Sequence, residues 1–186
     1  TTPFEHRQYM NVCTFGYTMP YWGWEQWERE LDWMALHGID MPLSPIGSEA
    51  IFARVWRSLG LTEEEIGDFM AGAAHLPWFR MGNMSGIDGH PSQEWYDKTI
   101  ALEHKIIDRM NELGMSPVYN AFAGFVPKGL KRVFPDAELV ETGWADGPDY
   151  FSSFIFPETE LYQRIAKEYI KEWEKEFGKG RYYLAD

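Results

Sequence analysis

Three stretches of the chain repeat apolar residues at helical spacing and then stop on a glycine. Trp24, Trp27, Leu31, Met34 and Ala35 run to Gly38, while Leu102, Ile106, Met110 and Leu113 run to Gly114. Leu161, Ile165, Tyr169, Trp173 and Phe177 run to Gly178. The spacing predicts an amphipathic helix in each case, ended by a glycine that accepts the left-handed conformation a helix terminus needs. Each helix feeds a short apolar run: Ile39-Asp40-Met41-Pro42-Leu43, Met115-Ser116-Pro117-Val118-Tyr119 and Tyr182-Tyr183-Leu184-Ala185-Asp186. With an opening apolar run over residues 8 to 14, this predicts four strands separated by helices, the signature of parallel α/β units.

The segments that follow the predicted strands are long. About seventy residues separate the second strand from the third. They include a predicted helix over Ser48–Ser58, a second over residues 62 to 70, and a loop over residues 71 to 91. Thr62 followed by Glu65 forms a capping box that sets the start of the second helix. Long loops after strands are where α/β barrels carry their sites. A doubly wound sheet is the other architecture this alternation permits, but no Gly-x-Gly-x-x-Gly turn follows the first strand. The expected fold class is therefore α/β, of (β/α)8 TIM-barrel type. Residues 1–186 would form half of such a barrel, covering about its first four βα units.

Composition narrows the class of ligand. A hydrophobic content of 45% supports a buried core, and 29 acidic against 17 basic residues give a net charge of −12. Such a surface argues against a nucleic-acid backbone or an anionic membrane as partner. No run of about 18 uncharged apolar residues is present, so no membrane span is expected. The N-terminal residues lack the basic start and apolar run of a signal peptide. Cys13 is the single cysteine, which excludes a disulfide framework within the chain and a cysteine zinc site. The five histidines have no ligand spacing, and neither a metal nor a cofactor is expected.

Nine tryptophans among 186 residues raise the question of a sugar pocket. A sugar offers apolar C–H faces to aromatic rings and a rim of hydroxyls to Asn, Glu or Tyr. If residues 8 to 14 form a strand, alternation puts Asn11 and Cys13 on one side, facing the barrel axis. Cys13 has two readings, a pocket-lining thiol and a small buried hydrophobe. The run from His75 to Met84 mixes Trp78, Arg80, Met81 and Asn83, and the run from Gly143 to Phe151 mixes Trp144 with Asp146 and Asp149. Such mixtures suit structured binding loops, although Trp78 and Met81 could equally plug the barrel top. Asn83-Met84-Ser85 also fits the short glycosylation pattern. Trp24 and Trp27 are read as the inward stripe of the first helix.

Glycoside hydrolysis needs two carboxylates across the scissile bond. Glu49, just after the second strand, is the best internal candidate, with a first-turn helix acid as its structural alternative. Glu25, Glu28 and Glu30 read as a solvated helix face, and Glu63, Glu64 and Glu65 as a helix-start cluster. No internal pair of acids stands out.

Taken together, Asn11-Val12-Cys13-Thr14, Trp27-Glu28-Arg29-Glu30, Asp32-Trp33-Met34-Ala35-Leu36, Arg80-Met81-Gly82-Asn83, Pro117 with Ala121-Phe122-Ala123-Gly124, and Val133-Phe134-Pro135 resemble the α-N-acetylglucosaminidases of glycoside hydrolase family 89. The likeness runs in order from about Tyr9 to Asp186. It implies a retaining exo-glycosidase that releases terminal α-linked N-acetylglucosamine, built on a (β/α)8 barrel flanked by other domains. By motif it implies a sugar pocket lined by Asn11, Cys13, Trp78, Met81 and Trp144. The family more often has Gly-Gln-Glu where this chain has Gly47-Ser48-Glu49, so no contact is carried over to residue 48. The resemblance further implies an Asn-Glu pair carrying the acid/base just after the fourth strand, and a nucleophilic Glu much further on. Neither catalytic carboxylate is then expected within these residues, and the chain would supply pocket walls while the remainder of the parent barrel supplies the chemistry. A glycan with terminal α-linked N-acetylglucosamine is the implied partner, and the implied location is lysosomal in an animal, extracellular or periplasmic in a bacterium. Two other readings stay open on residues alone: a non-catalytic carbohydrate-binding module, and a different α/β glycosidase that uses Glu49.

Overall fold

The structure is a computed structural model that describes residues 2–143 and 151–185. In chain order it forms β1 (Gln8–Tyr9), α1 (Val12–Thr18), α2 (Trp24–Leu36), β2 (Met41–Ser44), α3 (Ser48–Ser58), α4 (Glu63–Phe69) and α5 (Leu76–Arg80). There follow α6 (Gln93–Glu112), β3 (Val118–Asn120), β4 (Phe125–Val126), α7 (Leu130–Val133), β5 (Leu139–Gly143), β6 (Phe151–Ile155), α8 (Glu160–Phe177) and β7 (Tyr182–Leu184).

The four strands that follow the periodicity make one parallel sheet in the order β1-β2-β3-β7. Its register pairs Gln8 with Met41, Leu43 with Val118, and Val118 with Tyr182. Gly38, Gly114 and Gly178 all take positive φ where the three long helices end, as the sequence predicts. The Thr62 capping box is also formed, with the Thr62 hydroxyl accepting from the Glu65 amide (3.2 Å) and the Glu65 carboxylate from the Thr62 amide (2.8 Å).

The opening run is different from its expectation. Only Gln8 and Tyr9 pair as a strand, because Met10 turns the backbone to a positive φ of 73° and Asn11 caps a helix. The Asn11 side-chain oxygen accepts from the Thr14 amide (2.8 Å) and hydroxyl (2.9 Å), satisfying a first-turn donor. Asn11 and Cys13 therefore do not alternate along a strand face; Asn11 precedes α1 and Cys13 lies within it. The predicted loop over residues 71 to 91 is also partly helical, holding a 3-10 turn at Ala73–His75 and then α5, whose first turn accepts Pro77. Between β3 and α8 the chain builds an antiparallel sheet, ordered β4-β6-β5, that the apolar pattern does not announce.

Two apolar clusters fill the interior. One gathers α1, α2 and α6 around Trp27, Leu31, Met34, Ile106 and Met110; the other gathers α3, α4 and α8 around Trp56, Ile66, Tyr169 and Trp173. Trp27, Trp56 and Trp173 are fully buried, and each contributes at least about 1.5–3 kcal/mol of the hydrophobic drive. Trp24 packs half-buried on the same stripe as Trp27, while Trp33 is exposed and stacks on His37 at 4.2 Å. Arg109 on α6 meets Asp32 on α2 at 2.6 Å, and Arg54 on α3 meets Glu176 on α8 at 2.5 Å, so polar pairs seal the rims of both helix packings. No helix among the described residues is long and apolar enough to cross a membrane.

Candidate active-site face

A parallel sheet sends all of its strand ends to one side, and here that side collects Asn11 after β1, Ser44 at the end of β2 with Glu49 after it, Asn120 at the end of β3, and Leu184 at the end of β7. A small, mainly apolar cavity of about 40 Å³ opens among Val12, Phe79, Arg80, Asn120, Phe122 and Leu184. It draws on three of the four strand ends and on the helix that carries Arg80.

Cys13 and Met81, 68 residues apart, do not line this cavity, but each follows a residue that does (Val12 and Arg80), and they meet: the thiol donates to the Met81 thioether at 3.4 Å. Both are half-buried. Trp78 sits on α5, three residues before Met81, and is also half-buried. Asn11 is exposed at the mouth of α1; its oxygen is committed to the helix cap, so the amide nitrogen is the group it offers a ligand. Cys13 lies within α1 and Trp78 within α5, while Asn11 and Met81 cap the N-terminus of the first and the C-terminus of the second; the two helices pack together. Trp144 lies outside the described residues.

Glu49 is fully buried in the first turn of α3. Both of its oxygens are held by one guanidinium, with Arg80 Nε at 2.6 Å and Nη2 at 3.0 Å. A carboxylate clamped in this bidentate fashion is not placed to attack a sugar or shuttle its proton. The helix-start reading of Glu49 is the one the geometry supports, with the addition of an ion pair that the sequence did not announce.

The helix stripe of α6 hides a second buried acid. Glu103, on α6, is fully buried; the Ser44 hydroxyl donates to its Oε1 at 2.5 Å, and its Oε2 has no close hydrogen-bond partner among the described residues. Burial pushes its carboxyl up to about 8; the Ser44 hydrogen bond and Arg80 counter this in part, and Glu49 adds to it. The two acids thus share one buried cation: Arg80 is spent on Glu49, and Glu103 keeps its proton. The signal was present, because Glu103 falls on the inward stripe Ile100, Ile106, Ile107 and Met110, where a carboxylate is out of place. Among the described residues no group of His, Cys, Asp and Glu could hold a metal ion.

A parallel sheet whose strands alternate with helices and gather polar and aromatic side chains at their carboxyl ends is the pattern of part of an α/β barrel. The chain belongs to the alpha-N-acetylglucosaminidase (NAGLU) tim-barrel domain family, whose model matches residues 7–186. It is 44% identical over 188 residues to the human alpha-N-acetylglucosaminidase, a match that covers 100% of this chain and 25% of the human protein. Among solved structures it is similar to the family 89 glycoside hydrolase of Clostridium perfringens in complex with 2-acetamido-1,2-dideoxynojirmycin. That similarity has a TM-score of 0.89 at 32% identity, over 98% of this chain and 21% of the other. It is equally similar, at a TM-score of 0.89 and 33% identity over the same shares, to a double Glu-to-Gln variant of the Clostridium perfringens enzyme in complex with its substrate GlcNAc-alpha-1,4-galactose. The chain spans about a quarter or less of the length of these relatives.

Proposed function

We propose that this chain forms the first four βα units of the catalytic barrel of a retaining exo-α-N-acetylglucosaminidase, and that it supplies one wall of the pocket for the terminal sugar. The observation that carries this reading is the meeting of Cys13 and Met81 on α1 and α5, at the end of the sheet where barrel enzymes bind their substrates. In it, Asn11, Cys13, Trp78, Met81 and Trp144 contact the N-acetylglucosamine ring, with Trp78 and Met81 giving apolar surface and the Asn11 amide a donor. The nucleophile and the acid/base are two glutamates from the remainder of the barrel, acting by double displacement through a covalent glycosyl-enzyme. The substrate is a glycan with terminal α-linked N-acetylglucosamine, in keeping with the ligand named for the bacterial relative. The setting is lysosomal in an animal and extracellular or periplasmic in a bacterium.

The test uses the full-length protein that carries this chain. It should release N-acetylglucosamine from an aryl α-N-acetylglucosaminide, with the α-anomer seen first by proton NMR. Trp78→Ala and Met81→Ala should raise KM by roughly 10-fold, a loss of about 1.4 kcal/mol of binding. Absence of hydrolysis, or first release of the β-anomer, overturns the reading.

A further inference from the structure

Arg80 does more than neutralise Glu49. Its side chain is only 4% exposed and that of Glu49 only 1%. While Nε and Nη2 grip the carboxylate on α3, the guanidinium carbon lies 4.4 Å above the ring centre of Phe15, itself fully buried on α1. One planar group on α5 therefore holds an anion from α3 on its edge and an aromatic face from α1. It follows Trp78 by two residues and directly precedes Met81, and Phe15 follows Cys13 by two.

We propose that Arg80, fixed by Glu49, is the positioning residue of the sugar-facing wall. It sets the approach of α5 to α1, and so the placing of Met81 and Trp78 against Cys13 and Asn11. The proposal rests on the function proposed above only for what the wall binds; the mechanical role stands on the geometry. Three features favour positioning over charge balance alone. The fork geometry needs arginine, because lysine offers neither two parallel donors nor a plane to lay on Phe15. The pair is buried, and because desolvation of both charges offsets much of their attraction, its distinguishing property is the two-point geometry rather than net stability. Residues that orient a binding group from behind commonly cost 10- to 100-fold in binding when changed.

Two variants of the full-length protein test it. Arg80→Lys keeps the charge and loses the fork, and the pair Glu49→Gln with Arg80→Met removes both charges so that neither is left buried alone. In whichever variant keeps the wild-type melting transition, two readouts are taken. KM for an aryl α-N-acetylglucosaminide should rise roughly 10- to 100-fold while kcat falls less. Independently of any activity, alkylation of Cys13 by iodoacetamide, followed by peptide mass spectrometry, should quicken by about 5-fold or more as Met81 leaves the thiol. Unchanged alkylation and unchanged KM in a folded variant overturn the positioning role. Faster alkylation in a protein whose wild type neither binds nor cleaves the sugar sustains the positioning role and overturns the functional reading alone.

Discussion

Gly16 and Pro77 touch so closely that a β-carbon added to the glycine would lie 1.8 Å from the proline Cγ. The contact joins the middle of α1 to the first turn of α5, and it sets how near Cys13 can come to Met81. A proline ring cannot swing aside as a lysine tip would. Gly16→Ala should therefore push the two helices apart and destabilise the protein by about 1–3 kcal/mol, read as a lower midpoint in urea unfolding. Cys13 should become more reactive in the same variant. An unchanged midpoint would mean that the two helices slide freely, contrary to this packing.

Asn11 has a structural task that a sugar contact would sit on top of, and the two can be separated. Asn11→Ser keeps an oxygen for the Thr14 amide and should leave stability nearly unchanged, whereas Asn11→Ala should lose about 0.5–2 kcal/mol with the cap. Both should weaken binding of N-acetylglucosamine, measured by calorimetry on the full-length protein. If Asn11→Ser binds like the wild type, the Asn11 amide does not touch the sugar.

Glu103 makes the stability depend on pH with a definite sign. Its carboxyl is raised to about 8 in the fold and lies near 4.3 in an unfolded chain, so the folded state holds the extra proton between those values. Stability contributed by this group is full below about pH 4, falls as pH climbs towards 8, and then levels. Glu103→Gln, which imitates the protonated acid, should remove this slope. The variant should gain on the wild type by on the order of 2–4 kcal/mol between pH 4 and pH 8, measured as the difference between the two unfolding free energies. A difference that does not vary with pH would show that Glu103 is ionised in the fold at neutrality.

Prepared as 186 residues alone, the chain should not behave as a tidy monomer. Its sheet has two outer strands, β1 and β7, whose outward backbone groups would seek partners. Self-association in sedimentation, or strong binding of a hydrophobic dye, is the expected result. A monomer with one sharp unfolding transition would contradict it.

The long helices and their order were legible because each buries a continuous stripe and ends on a glycine that takes positive φ. What escaped was set by side-chain hydrogen bonds and by partners far along the chain. The first strand was read too long, because Val12 and Phe15 are apolar on either reading and only the Asn11 cap, with Thr14 three residues on, decides for a helix. The apolar pattern does not announce the antiparallel sheet because β5 is mostly exposed and β6 sets two buried serines, Ser152 and Ser153, among its apolar residues, which breaks the alternation that marks a strand. Cys13 and Met81 were each chosen from the sequence by resemblance, and their contact needed the fold. Glu103 was hidden in a helix that was otherwise read correctly, although its place among inward isoleucines was visible from the start.

The antiparallel sheet leaves the barrel just after β3 and returns at α8, and the two ends of the excursion are held together at its neck. The Ile155 amide at the end of β6 donates to the Gly124 carbonyl just before β4 (2.9 Å), and the Tyr162 hydroxyl on the first turn of α8 donates to the Phe122 carbonyl (3.1 Å). The excursion is also bound into the body: Val126, Leu130 and Ile155 are buried in the same cluster as Trp56 and Trp173, and Phe125 lines the strand-end cavity. A change in these strands would therefore be felt at the strand ends, because Phe125, which packs against that cluster, also borders the cavity.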